Sequence, residues 1–146
     1  MGERRSRQSG NSMVEMALVL TALIYLVVGA ADFSRLFYTA TELASSARAG
    51  AQYGSRSVVT AADTNGMIAA ARQDAPNIGT ITVTPSQCTC GTSSTVSACG
   101  STYCTNAPQA NYVEVDTQFT FTTVTRYPFI PSSIPLTRKA IMQVAQ

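Results

Sequence analysis

The chain has 146 residues and a formal net charge of +2. Arg4, Arg5 and Arg7 against Glu3 supply that +2 within residues 1–10 (3 − 1), so residues 11–146 sum to zero. A chain without a basic surface gives no electrostatic case for nucleic-acid binding. The absence of His excludes a Ser-His-Asp triad, a Cys-His dyad and most zinc-enzyme sites.

The first element is apolar. From Met16 to Ala31 no residue carries a charge, and extending back to Asn11 adds one carboxyl, Glu15. The 21 residues 11–31 measure roughly 31 Å as a helix at about 1.5 Å per residue, which matches a bilayer core of about 30 Å. The three arginines that precede this segment place the N-terminus in the cytoplasm and everything after Asp32 beyond the membrane. Three readings fit: a plain signal anchor, a secretory signal cut after Ala31, and a leader cut on the cytoplasmic side, after Gly10. Glu15 favours the last, because an ionisable group one turn into an apolar helix costs about 2.5–3.5 kcal/mol at a bilayer centre and less at the interface. Hydration at headgroup level is the plainer account of Glu15.

The helix does not stop at the membrane. Residues 32–53 contain no Pro and keep helical spacing, with Phe33, Leu36, Phe37, Ala40, Leu43, Ala44, Ala47 and Ala51 read as one apolar stripe. A second helix is expected over 61–75, opened by a capping-box-like Thr60-Ala-Ala-Asp63, weakened by Gly66 and ended by Pro76. Its small residues Ala62, Ala69, Ala70 and Ala71 suit close packing on the first helix.

Strand patterns follow. Ile81 and Val83 alternate with Thr over 80–84, and a longer alternation over 112–126 sets Val113, Val115, Phe119 and Phe121 against Glu114, Asp116, Gln118 and Thr120. Pro128, Pro131 and Pro135 mark a bend before a last strand carrying Leu136, Ala140, Met142 and Val144. Two helices leading into a three- or four-stranded antiparallel sheet predict an α+β domain over 32–146. Cys88, Cys90, Cys99 and Cys104 fall within a Thr/Ser/Gly-rich loop. Their spacings fit no common four-cysteine metal site, and in an exported chain they read as two disulfides. Bonding Cys88 to Cys90 would be strained. A nested pattern, Cys88–Cys104 with Cys90–Cys99, and a crossed one both remain open.

No catalytic motif and no cofactor-binding signature is found, so the chain is not read as an enzyme. Glu114 and Asp116, two apart on one strand face, could bind a cation, but a polar solvent-facing strand face is the favoured account of them. Tyr53, Tyr103, Tyr112, Tyr127 and Phe129 are candidates for an adhesive surface or for half-buried sheet positions. The loop over 86–107 is the expected partner contact, because rigid loops lose less entropy on binding.

Three stretches, Gly10-Asn-Ser-Met-Val-Glu-Met-Ala-Leu-Val-Leu, Ala31-Asp-Phe-Ser-Arg-Leu-Phe-Tyr and Ala47-Arg-Ala-Gly-Ala-Gln-Tyr-Gly, resemble the TadE/TadG-like proteins of the tight-adherence (Tad) pilus system. The likeness covers about the first 55 residues closely; beyond them only the layout is similar. It implies a minor pilin, or pseudopilin, of a Flp-type adhesion pilus, held in the inner membrane and cut between Gly10 and Asn11 by a prepilin peptidase. Glu15 would meet the new amine of another subunit, and other pilin subunits and the Tad assembly machinery would be the partners. Met16 stands where major pilins of that system usually carry Tyr, which fits a minor component. The alternative is an anchored or secreted periplasmic binding module unconnected with pili.

Overall fold

A computed structural model describes residues 6–90, 110–125 and 131–145, with side chains from Ser12 onward. Three helices precede three strands: α1 (Ser6–Ser55), α2 (Val58–Ala62), α3 (Thr64–Asp74), β1 (Thr82–Cys90), β2 (Ala110–Thr122) and β3 (Ser133–Gln143). The strands form one antiparallel sheet in the order β1-β2-β3. The protein is therefore α+β, with α1 and α3 on one face of the sheet.

α1 runs unbroken for 50 residues, because no Pro interrupts it and Ala, the strongest helix former, is its commonest residue. Its outer half packs on β2, β3 and α3 through Asp32, Thr39, Leu43, Ser46, Ala47, Gly50, Ala51 and Gly54, all buried. This corrects the expected stripe. Leu43, Ala47 and Ala51 lie on the buried face, but Phe33 and Phe37 are each 69% exposed. The packed face is narrower and more polar than hydrophobicity alone suggested, because small residues let the backbones approach. A Cβ on Gly50 would stand 3.1 Å from the Met67 carbonyl oxygen and 3.2 Å from Val115 Cγ1. Within this contact the Ser46 hydroxyl donates to the Ala71 carbonyl at 2.8 Å, one of the last four carbonyls of α3, which have no partner within their own helix.

The expected second helix is two helices. Ser57, not Thr60, is the first cap: its side chain accepts from Thr60 N, and the Thr60 hydroxyl accepts from Ser57 N, a reciprocal capping box. Asp63 ends α2 and caps α3, its Oδ1 accepting from Gly66 N at 2.9 Å.

The sheet keeps the expected alternation. Val113, Val115 and Phe121 are buried and Phe119 half-buried, while Gln118 and Thr120 are exposed. Thr117 shares the inner face, fully buried; its Oγ1 lies 3.1 Å from the Leu43 carbonyl oxygen and 3.2 Å from that of Arg138. Boundaries move: β1 begins at Thr82, and β2 runs from Ala110 to Thr122 instead of over 112–126. β1 extends into the cysteine region as far as Cys90, and β3 begins at Ser133, so Pro135 lies within the strand, opposite Thr120, rather than in the bend before it. β1 and β3 are edge strands, where a missing amide is tolerated, and Pro85 in β1 follows the same rule. The core comprises Leu43, Ala47, Ala51, Met67, Ala71, Ile81, Val83, Val113, Val115, Ala140 and Val144, among others, and each fully buried large aliphatic contributes about 1.5–3 kcal/mol.

Candidate functional site: the apolar helix and its junction with the sheet

The inner half of α1 packs against none of the other described residues. Val14, Leu18, Leu20, Leu23, Ile24 and Leu26 are all exposed, and α1 is long and apolar enough to cross a membrane. Exposure of that many aliphatic residues in water exceeds what a soluble monomer carries, whereas in lipid it is the expected state. One long apolar N-terminal helix fits a single-pass anchor. Gly10 and Asn11 lie within α1. Glu15 is exposed on it among apolar neighbours.

At the outer end of this segment one residue ties the helix to the sheet. Asp32 is buried to 7% exposure. Its Oδ1 accepts from Val124 N at 3.3 Å and its Oδ2 from Thr125 N at 3.4 Å, while Arg35 Nη1 stands 3.6 Å from Oδ1. The Arg35 guanidinium also lies 5.7 Å from the centroid of the Phe121 ring, a cation–π distance. Thus the carboxylate holds the chain leaving β2 against α1, one residue beyond the uncharged run. Its acid type suggested nothing of this in the sequence, because both amides come from more than 90 residues away. Above it opens a cleft of about 490 Å³, lined by Ser34, Arg35 and Tyr38 from α1, Asn77 and Ile78 from the α3–β1 connection, and Phe119 and Phe121 from β2.

Glu114 and Asp116 are brought together, but around a protein cation. Lys139, the only lysine in the chain, faces Asp116 across the β2–β3 pair. Its Nζ hydrogen-bonds Glu114 Oε1 and stands 3.8 Å from Asp116 Oδ1. The pair is therefore a polar strand face closed by an ion pair, in line with the favoured reading of these two carboxylates.

Neither Cys88 nor Cys90 is a free thiol. Both are buried at the end of β1, with Tyr112 packed against them. Cys99 and Cys104, most of the 86–107 loop, Tyr103, Tyr127 and Phe129 lie outside the described residues. Tyr53 is half-buried and donates its hydroxyl to Asp63 Oδ2 at 2.8 Å.

A family model described as TadE-like protein matches residues 10–52. The match covers nearly all of α1, from the apolar segment through the face that packs on the sheet, and ends before α2. No curated protein and no solved structure matches the chain.

Proposed function

We propose that this TadE-like chain is a minor pilin, or pseudopilin, that takes part in assembling a Tad-type adhesion pilus. The observation that carries the reading is the unbroken α1, bare and apolar in its inner half and core-forming in its outer half, over the same residues that match the TadE-like model. The helix holds the subunit in the inner membrane, with the α+β domain on the periplasmic side. A prepilin peptidase cuts between Gly10 and Asn11 and creates an amine one turn from Glu15. In assembly the carboxylate of one subunit pairs with that amine on another, and apolar helices replace lipid contacts with each other. The chain acts as a structural component rather than as an enzyme. Two disulfides join Cys88 and Cys90 to Cys99 and Cys104 and staple the loop that offers a partner contact. Closing the outer loop contributes about 3 kcal/mol in the chain-entropy account.

The test is the mature N-terminus, read by sequencing or intact mass from cells with a working prepilin peptidase. Asn11 as the first residue supports the reading. Asp32 identifies ordinary secretion, and Met1 a plain anchor. The cleft over Arg35 and Phe121 favours the second reading, an anchored binding module unconnected with pili. That reading requires pilus assembly to be unchanged when the gene is deleted.

A further inference from the structure

We infer that the membrane-proximal rim of the domain is itself a lipid-binding surface, with Val124 from the end of β2 and Phe33 and Phe37 from α1 seated in the outer headgroup layer. The inference rests on reading residues 11–31 as the membrane span, and it goes beyond that reading by assigning lipid contact to the folded domain. Three observations carry it. First, α1 continues without a break past Ala31, so height above the apolar core follows from the helical rise. At about 1.5 Å per residue, Phe33 and Phe37 stand about 3 Å and 9 Å beyond Ala31. The headgroup layer is about 5–7 Å thick on each side, and helical side chains lean toward the helix N-terminus, which brings the Phe37 ring down into it. Second, these two rings are each 69% exposed although they sit among the residues that form the domain.

Third, and from a different element, Val124 is 75% exposed and is fixed at the same height by its amide hydrogen bond to Asp32 Oδ1. An isolated valine on a surface turn is ordinary. One clamped to the residue at the mouth of the span, level with two bare aromatic rings, lies where amphipathic and apolar groups meet lipid. The charge agrees. The Asp32 carboxylate is buried while its ion-pair partner Arg35 is 55% exposed, so the half of this pair that faces outward is the guanidinium, the sign that anionic lipid headgroups attract.

The chain contains no Trp, so one introduced Trp reports its own surroundings. Full-length Val124→Trp, Leu23→Trp and Val59→Trp are reconstituted into phosphatidylcholine/phosphatidylglycerol vesicles containing lipids brominated either near the headgroup or near the chain ends. Val59 is 79% exposed and lies beyond the far end of α1, about 35 Å from Asp32, so it reports water. The expected result is blue-shifted emission at position 124, quenched more by the shallow bromines than by the deep ones. Position 23 should be quenched by the deep bromines, and position 59 by neither. Emission at position 124 matching that of position 59 overturns the inference while leaving the span intact. Blue-shifted emission at 124 that no brominated lipid quenches also overturns it, because a protein surface then covers the rim. Loss of quenching at position 23 shows instead that the span reading has failed.

Discussion

Asp63 joins three elements through its backbone amide and its carboxyl group. Its own amide closes α2 on the Thr60 carbonyl, its Oδ1 caps α3, and its Oδ2 accepts the Tyr53 hydroxyl from α1. The Gly66 amide first, then the Tyr53 hydroxyl and, more weakly, the Asn65 amide hold its acidity stronger than that of an ordinary aspartate, against a smaller opposing effect of burial. A carboxyl whose folded pKa lies below its unfolded value stabilises the fold in full above the unfolded value, about 3.9. That contribution is lost as pH falls through the folded value. Urea unfolding midpoints should therefore fall below about pH 4. In Asp63→Asn, which can still cap but cannot titrate, that part of the decline should flatten; an unchanged profile would assign the acid sensitivity elsewhere. Gly66, which reads as a flaw in a helical sequence, has a structural reason. A Cβ there would collide with Asp63 Oδ2 and the Tyr53 ring. The sequence showed the weak propensity but not the contact that requires it, because Tyr53 arrives from another helix.

At the scale of elements, α1 shows how far hydrophobic periodicity reads. The pattern locates Leu43, Ala47 and Ala51 correctly, yet it assigns Phe33 and Phe37 to the core and overlooks Ser46, Gly50 and Gly54. Size, more than hydrophobicity, selects the packed face here, and the size constraint is set by α3 and β2, which the pattern of α1 does not contain. Gly50→Leu should lower domain stability by about 1–3 kcal/mol through overpacking, since the nearest obstacles include the Met67 backbone oxygen and not only a flexible side-chain tip. Ser46→Ala should cost about 1–3 kcal/mol by leaving the Ala71 carbonyl buried without its donor. Chemical unfolding in detergent, followed by a signal from the sheet, checks both; equal stability of wild type and variant would contradict the packing account. The same reasoning covers Pro135. Its composition signals a bend, and only the edge position of β3 makes it compatible with a strand.

Across the whole molecule the order of elements and the α+β class were legible, because long alternating and helical runs dominate the sequence. The junction was not. Asp32 with Val124 and Thr125, Thr117 with Leu43, and Lys139 with Glu114 are long-range pairings, which one-dimensional patterns do not encode. The division of labour along α1 makes a direct prediction, since among the described residues every buried one lies at or after Asp32. A chain beginning at Gly29 should be soluble without detergent and unfold in one cooperative transition. One beginning at Ser45 lacks Leu43 and the Asp32 clamp and should not fold. Thermal unfolding followed by circular dichroism distinguishes the two, and comparable transitions would show that residues 29–44 are dispensable to the core.

That same helix has a mechanical consequence. No joint separates the inner half of α1 from the half built into the domain, and a rod of 50 residues is about 75 Å long. Such a shaft has no slack. A rotation of the inner end about the helix axis turns the outer domain through the same angle, and an axial pull reaches the sheet through Leu43, Ser46 and Gly50 without first straightening a linker. Whatever grips the apolar end thereby sets the heading of the exposed sheet face.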